Sequence, residues 1–201
     1  CVDLQQLHVW TDEWVKEPVW LDAIDKLKSA GKIKHFGISL NAHEANNGIA
    51  AVKSGLVDSV QVVYNIFDQS AEQQLFSACE EHGVAVIARV PFDEGSLTGK
   101  LTPDMKFAKD DWRRFYFAGS KLKEACQRAD KLKALLPTDV KNLAQLALMF
   151  CLSHPAVSTV IPGMRTTAHV KENCAAGSKR HLNFAELEEL KKHAWDRDFY
   201  P

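Results

Sequence analysis

His8 stands in LQQLHVW, an imidazole set into an apolar run. A histidine there can donate a hydrogen bond to a carbonyl oxygen or act as an acid near neutral pH; the competing reading is a buried histidine satisfied by backbone. Ser39 and Asn41, in FGISLN, carry the hydroxyl and amide that hydrogen-bond an amide-bearing ligand. Gln61 interrupts the apolar VQVVYN. Burying an unpaired amide costs about 1–3 kcal/mol, so Gln61 pairs either with a ligand or with Tyr64 and Asn65 in a structural network. Arg89, in VIARVPF, needs a partner charge, solvent or a flat π-system to stack on.

A second constellation lies near the C-terminus, in VIPGMRTTAHVKEN. The apolar run Val157–Ile161 stops at Pro162-Gly163, and a helix restarts near Thr166 or Thr167. A strand that delivers the chain to a helix N-terminus presents unpaired N–H groups and the positive end of the helix dipole. Gly163, Arg165 and the threonines therefore form a candidate phosphate site, with Glu172 and Asn173 further along the helix. An ordinary βα turn carrying one surface arginine is the alternative.

The elements that must position these groups are apolar, β-branched runs at Val2–Trp10, Ile33–Leu40, Val57–Ile66, Val84–Phe92 and Val157–Ile161, with helical segments between them. Lys28-Ser-Ala-Gly31 reads as a helix end and Asp68-Gln-Ser70 as a helix start. Helices are expected at about Gly119–Leu135 and Thr138–Ser153. Between Pro91 and Ser120 runs a polar segment too long for a tight turn, and its place after a strand favours a functional loop. Strand–helix alternation implies a parallel sheet with helical crossovers, and strand starts roughly 25 residues apart suit a βα barrel as well as a doubly wound sheet. No GxGxxG fingerprint occurs, which weakens a dinucleotide fold of the doubly wound type, and GSLTGK (Gly95–Lys100) has the wrong spacing for a phosphate-binding Walker loop. His8, Ser39, Asn41, Gln61, Arg89 and Gly163–Arg165 all fall at the C-terminal ends of strands, where α/β sheets place ligands.

The length of 201 residues, 46% hydrophobic and 25% charged, suits one globular α/β domain over residues 1–201. Lys and Arg (25) nearly balance Asp and Glu (26) and are dispersed, so there is no electrostatic footprint for nucleic acid or a membrane surface, and a small-molecule partner is the better expectation. Five cysteines, none in a Cys-x-x-Cys pair, read as free thiols of a reducing compartment. With no signal peptide or spanning segment evident, a cytoplasmic location is expected. No metal-ligand spacing occurs.

Taken in order, DLQQLH, GKIKHFGIS, VQVVYN, PFDEGSLTGK and VIPGMRTTAHVKEN resemble the aldo-keto reductases across essentially the whole chain. The resemblance implies a (β/α)8 barrel and hydride transfer between NADP(H) and a carbonyl or alcohol substrate. His8 would match the catalytic histidine that polarises the carbonyl, and Ser39, Asn41 and Gln61 would hold the nicotinamide carboxamide. Arg89 falls where many relatives place an aromatic that stacks on the nicotinamide. Phe92, Gly95, Ser96 and Leu97 would border the pyrophosphate. Gly163, Met164, Arg165, His169, Glu172 and Asn173 would surround the adenosine and its 2′-phosphate.

The departures are specific. Leu40 separates Ser39 from Asn41, and Gly163 replaces a lysine that often pairs the 2′-phosphate, leaving Arg165 as the main cation. The family's catalytic aspartate, tyrosine and lysine precede the histidine strand, and Tyr64, Tyr116 and Tyr200 do not stand in the tyrosine's motif. The chain thus reads as an incomplete barrel lacking the first three βα units, with self-association through exposed sheet edges as one consequence. Trp10, Trp14 and Trp20 suggest an aromatic wall near His8, though helix packing explains Trp20 equally well, and Trp112 is a further candidate for the pocket. The alternatives to a reductase are a non-catalytic nicotinamide-binding sensor or accessory subunit, and an inactive barrel fragment.

Overall fold

A computed structural model describes residues 1–17 and 19–200. They form two compact units: Cys1–Val63, Ser70–Arg89 and Pro155–Thr159 make the first, and Tyr64–Gln69, Val90–His154 and Val160–Pro201 the second.

The first unit alternates β1 (Val2–Trp10), α1 (Val19–Ser29), β2 (Ile33–Leu40), α2 (Ile49–Lys53), β3 (Ser59–Val63), α3 (Leu75–His82) and β4 (Ala85–Arg89). A last strand, β5 (Val157–Ile161), starts in this unit, and the sheet order is β1-β2-β3-β4-β5. Strands β1 to β4 pair in parallel. Sequential order without reversal leaves no topological switch point, which decides for barrel-type winding over a doubly wound sheet. Phe36, Ile38 and Leu40 alternate along β2 and are fully buried, as are Val60 and Val86 on its neighbours. Helix α1 stops before Gly31 and α3 at Gly83, whose φ values of 63° and 66° a side chain would oppose.

Two strands are shorter than their apolar runs. The run Val57–Ile66 yields only Ser59–Val63, and Val84–Phe92 only Ala85–Arg89. Beyond these ends the Asn65 carboxamide takes over the backbone: its Nδ2 donates to the Val90 carbonyl, and its Oδ1 accepts from the Phe67 and Asp68 N–H groups. Asp68 and Gln69 therefore lie ahead of the helical residues, and helical structure opens at Ser70 in 3₁₀ form rather than as an α-helix. The 3₁₀ turn spans Ser70–Glu72, and α3 begins at Leu75.

At the end of β1 the register slips, His8 pairing with Ser39 but Trp10 with Leu40, so Val9 is an extra residue, held at φ 60°. This bulge turns Trp10 to the side of Leu40. Trp10 is fully buried there, edge-on to Trp14 and Trp20, and Trp20 stacks on Phe36. Of the aromatic wall expected beside His8, Trp10 thus lies on the opposite face of the strand as core, with Trp20 half-buried and Trp14 exposed against it.

The second unit is helical: α4 (Arg113–Tyr116), α5 (Lys121–Lys133), α6 (Leu143–Ser153), α7 (Thr167–Ala176) and α8 (Phe184–Lys191). Helix α5 buries Leu122, Ala125, Cys126, Ala129 and Leu132, the stripe of a half-exposed helix, whereas α6 is apolar all round and buries Leu146 through Cys151. The Asn142 side chain caps α6 by accepting the Gln145 N–H at 2.9 Å, so this helix begins at Leu143 rather than Thr138. Within the polar stretch from Pro91 lie a 3₁₀ segment at Asp93–Thr98, kinked at Glu94 and Gly95, and α4. Tyr116, Phe117, Leu122, Ala125, Cys126 and Phe199 form a core cluster of this unit. Among the described residues no helix is long and apolar enough to cross a membrane.

A Cβ at Gly37 would stand 2.2 Å from Ser59 Oγ and 2.8 Å from its carbonyl oxygen. Gly37→Ala is expected to destabilise the chain by about 1–3 kcal/mol, read as a lower urea midpoint. The five thiols are unpaired; Cys79, Cys126 and Cys151 are buried, while Cys1 and Cys174 are exposed. Burial pushes the Cys79 thiol up to about 12 and that of Cys151 further. Alkylation of the folded chain at pH 8 should label Cys1 and Cys174, and the other three only in denaturant.

Candidate functional site

The predicted residues fall into two groups, one in each unit. In the first unit His8, Ser39 and Gln61 are successive partners across β1, β2 and β3. In-register residues on parallel strands project to the same side, so the three form one row. Its contacts are direct: His8 Nδ1 lies 3.3 Å from Ser39 Oγ. His8 is exposed and Ser39 is buried.

Two residues down each strand lies a second row, Gln6, Gly37, Ser59 and Ala85. The missing side chain at Gly37 makes room there for Gln6, whose Oε1 accepts from Gln61 Nε2 at 2.9 Å and whose Nε2 donates to the Ile38 carbonyl at 3.4 Å. Gln61 is thus satisfied by Gln6, not by Tyr64 and Asn65. Gln6 was not singled out in the sequence; its signal was the same one that marked Gln61, an amide inside an apolar run.

Asn41 Nδ2 donates to Glu44 Oε2 at 2.9 Å, and no hydrogen bond joins it directly to Ser39. Arg89 Nη2 donates to the Leu40 carbonyl at 3.0 Å, one residue from Ser39. Its Nε is buried without a partner, as is Ser59 Oγ. Arg89 as a residue is half-buried, and an unpaired guanidinium donor is costly where water does not reach it. Val9 and Val90, which follow His8 and Arg89, both have positive φ (60° and 56°), rare for β-branched residues.

In the second unit a cleft of about 800 Å³ is bordered by Phe92, Glu94, Gly95, Lys100, Asp110–Arg113, Asn142, Gly163, Arg165, His169, Glu172 and Asn173. The size is that of a small-molecule pocket. Of the predicted residues, Phe92, Gly95, Gly163, Arg165, His169, Glu172 and Asn173 border it, and Trp112 does too. Ser96 and Leu97 are buried and do not line it, and Met164 is half-exposed outside it. Thr166 caps α7 by accepting the His169 N–H at 3.2 Å, and Asn173 Nδ2 donates to the Gly163 carbonyl at 3.3 Å, which ties the strand-to-helix turn to its own helix.

Charge in the cleft is mixed. Arg113 grips Asp111 through Nε and Nη2, the latter at 2.6 Å, and this pairing holds the Asp111 carboxyl below the usual carboxylate range, with Arg165 adding to the effect. Arg113, Lys100 and Arg165 supply positive charge; Glu94, Asp110, Asp111 and Glu172 oppose it. The cleft, its cations and the nearby α7 N-terminus fit phosphate groups, and the acceptor-bearing row on β1–β3 fits a carboxamide. Tyr116 is no candidate for a proton donor to a ligand: it is buried, its hydroxyl donates to Asp93 at 3.1 Å, and burial pushes its pKa far above the ordinary phenol value. Among the described residues no cluster of side chains could hold a metal ion.

The sequence profile of the Aldo/keto reductase family matches residues 1–194, and the chain belongs to that family of oxidoreductases. It is 28% identical over 200 residues to the uncharacterized oxidoreductase YqkF of Bacillus subtilis, covering 99% of this chain and 62% of that protein. It is 26% identical over 197 residues to the aldo-keto reductase yakc [NADP(+)] of Schizosaccharomyces pombe, covering 96% and 57%. To the NADH-specific methylglyoxal reductase of Escherichia coli it is 23% identical over 180 residues, covering 86% and 55%. Among solved structures, the holo form of aldo-keto reductase AKR11C1 from Bacillus halodurans matches with a TM-score of 0.72 and 29% identity, over 96% of this chain and 58% of that one. The fold is that of the aldo-keto reductase barrel, and the chain spans about three fifths of the length of these relatives.

The coupling of the two amides gives a prediction. Gln61→Leu leaves Gln6 Oε1 without its donor and should cost about 1–2 kcal/mol. The double change Gln6→Leu with Gln61→Leu removes both polar groups and should recover most of that loss, seen in a double-mutant cycle by urea denaturation.

Proposed function

We propose that the chain provides the nicotinamide cradle, the phosphate cleft and the catalytic histidine of an NADP(H)-dependent reductase of aldehydes or ketones. The observation that carries this reading is the row His8, Ser39 and Gln61, aligned across three parallel strands. The cofactor supplies the hydride; this chain's own residues bind, orient and hold the proton.

Gln61 spends its Nε2 on Gln6, so its Oε1 remains as an acceptor. Ser39 Oγ donates to His8 Nδ1 in the Nε2-protonated tautomer of the imidazole, and its lone pairs accept in turn. Two acceptors side by side suit the NH₂ group of a carboxamide. The same tautomer leaves His8 Nε2–H on an exposed ring as donor to a carbonyl oxygen, polarising it for reduction. Arg89, with its Nε orphaned, completes the wall as a cation or as a plane on which an aromatic ring stacks.

In the second unit Phe92 and Gly95 border the pyrophosphate, while Glu172 and Asn173 face the adenosine. Arg165 is the cation assigned to the 2′-phosphate, which favours NADP(H); the relatives include one named for NADP(+) and one named NADH-specific. Five unpaired thiols support a cytoplasmic setting.

Titration of the chain with NADPH and NADH, followed by tryptophan fluorescence, tests the reading, with aldehyde-dependent loss of absorbance at 340 nm as the catalytic readout. Arg165→Met is expected to weaken NADPH binding roughly 10–100-fold and NADH binding by less than about 2-fold, since one charge-assisted contact contributes about 1.5–3 kcal/mol. Equal effects on both cofactors would remove the NADP(H) assignment. Binding without aldehyde-dependent oxidation would make the chain a nicotinamide sensor rather than a reductase, and absence of binding would sink the proposal.

A further inference from the structure

The cleft wall between Val90 and Gly99 has a costly backbone. Val90, Asp93 and Glu94 have φ of 56°, 46° and 54°, and Gly95 and Gly99 follow at 110° and 69°. Left-handed non-glycine residues in such number persist only where their surroundings over-determine them.

Asp93 is what the surroundings hold. Its carboxylate, 2% exposed, accepts from the Ser96 hydroxyl, from the Tyr116 hydroxyl at 3.1 Å and from Arg197 Nη2. Arg197 belongs to the segment after α8, far along the chain from the loop. Its guanidinium lies against the rings of Trp195, Phe199 and Phe67, 4.6, 5.5 and 5.5 Å from their centroids, and its Nε has no partner. Next to Asp93, Glu94 accepts from the Tyr200 hydroxyl at 2.9 Å. The segment itself is anchored where the Trp195 N–H donates to the Phe67 carbonyl at 2.8 Å.

A buried ion pair with an orphaned donor is a poor way to gain stability, since an apolar pair of similar volume does as well or better. Its distinctive property is direction: it fixes one carboxylate, and hence one backbone conformation. Val90, Pro91, Phe92, Glu94, Gly95 and Thr98 line the cleft, whereas Asp93 and Arg197 do not.

We propose that Arg197 and Tyr200 are positioning residues: the C-terminal segment clasps Asp93 and Glu94 and thereby holds the loop in the left-handed course that shapes the cleft and sets its affinity for ligand. The inference rests on the cofactor reading of the cleft for the identity of that ligand. Arg197 and Tyr200 act through the loop and do not themselves border the cleft.

The test compares the full chain with Arg197→Met, Arg197→Lys and Tyr200→Phe by amide hydrogen exchange without ligand and by NADPH titration. Arg197→Met should raise exchange within residues 90–99 at least tenfold while strands β2 and β3 keep their protection, and should weaken NADPH binding about tenfold. Arg197→Lys, which keeps the charge, should restore part of both. Tyr200→Phe keeps the ring and removes the hydroxyl that donates to Glu94, so it decides the matter if Arg197→Met does not fold; it should loosen the same residues to a smaller degree. Unchanged exchange at 90–99, or a rise spread evenly over the chain, overturns the clasp. If wild-type chain binds neither NADPH nor NADH, the cofactor reading falls, and local exchange still decides whether the clasp holds the loop.

Discussion

Parallel pairing of β1, β2 and β3 in common register is the constraint on which the candidate site depends. A parallel ladder aligns residues of different strands at one height and turns them to one side. His8, Ser39 and Gln61 come from positions more than twenty residues apart in sequence, yet they occupy one row because each strand enters the sheet at a fixed offset from the last. A slip of one residue anywhere in this pairing would send a member of the row to the helix side, where Phe36, Ile38 and Leu40 are packed.

Two local devices protect that register. Gly37 leaves the space in which Gln6 reaches Gln61, so the polar layer beneath the row satisfies itself with few unpaired groups. The bulge at Val9 separates His8 from Trp10, placing the imidazole with Ser39 and the indole in the core. The bulge carries backbone strain at a β-branched residue, and Val90 carries the same at the end of β4. Strain concentrated where strands end and candidate ligand-binding residues begin agrees with a scaffold whose core holds the site in a conformation that local sequence would not choose.

The second unit solves a related problem by different means. Its cleft is walled by irregular backbone, which a sheet ladder cannot hold, and the work passes to side chains: Asn142 and Thr166 at helix starts, Asn173 back to Gly163, and the carboxylates of Asp93 and Asp111 on arginines. The Asp111–Arg113 pair also takes one cation of the cleft partly out of play.

Much of this was legible in the residues alone. Hydrophobic periodicity located all five strands, and polar groups at their C-terminal ends marked His8, Ser39, Gln61 and Arg89, because an apolar run tolerates an amide, imidazole or guanidinium only where it is partnered. The strand order was not legible, since barrel and doubly wound sheets share the same alternation and differ only in which strands meet. Nor was the identity of partners: Gln61 had three plausible ones and found Gln6, fifty-five residues away, through the register. Trp10 read as a neighbour of His8 because period-two alternation assumes an unbroken strand, and one left-handed residue overturns it. Asp93 and Arg197 carried no local signal at all, being ordinary charged residues of polar segments. Sequence fixes which groups must find a partner; tertiary structure alone decides which partner, because that choice is made by register, bulges and chain return over distances that local pattern does not encode.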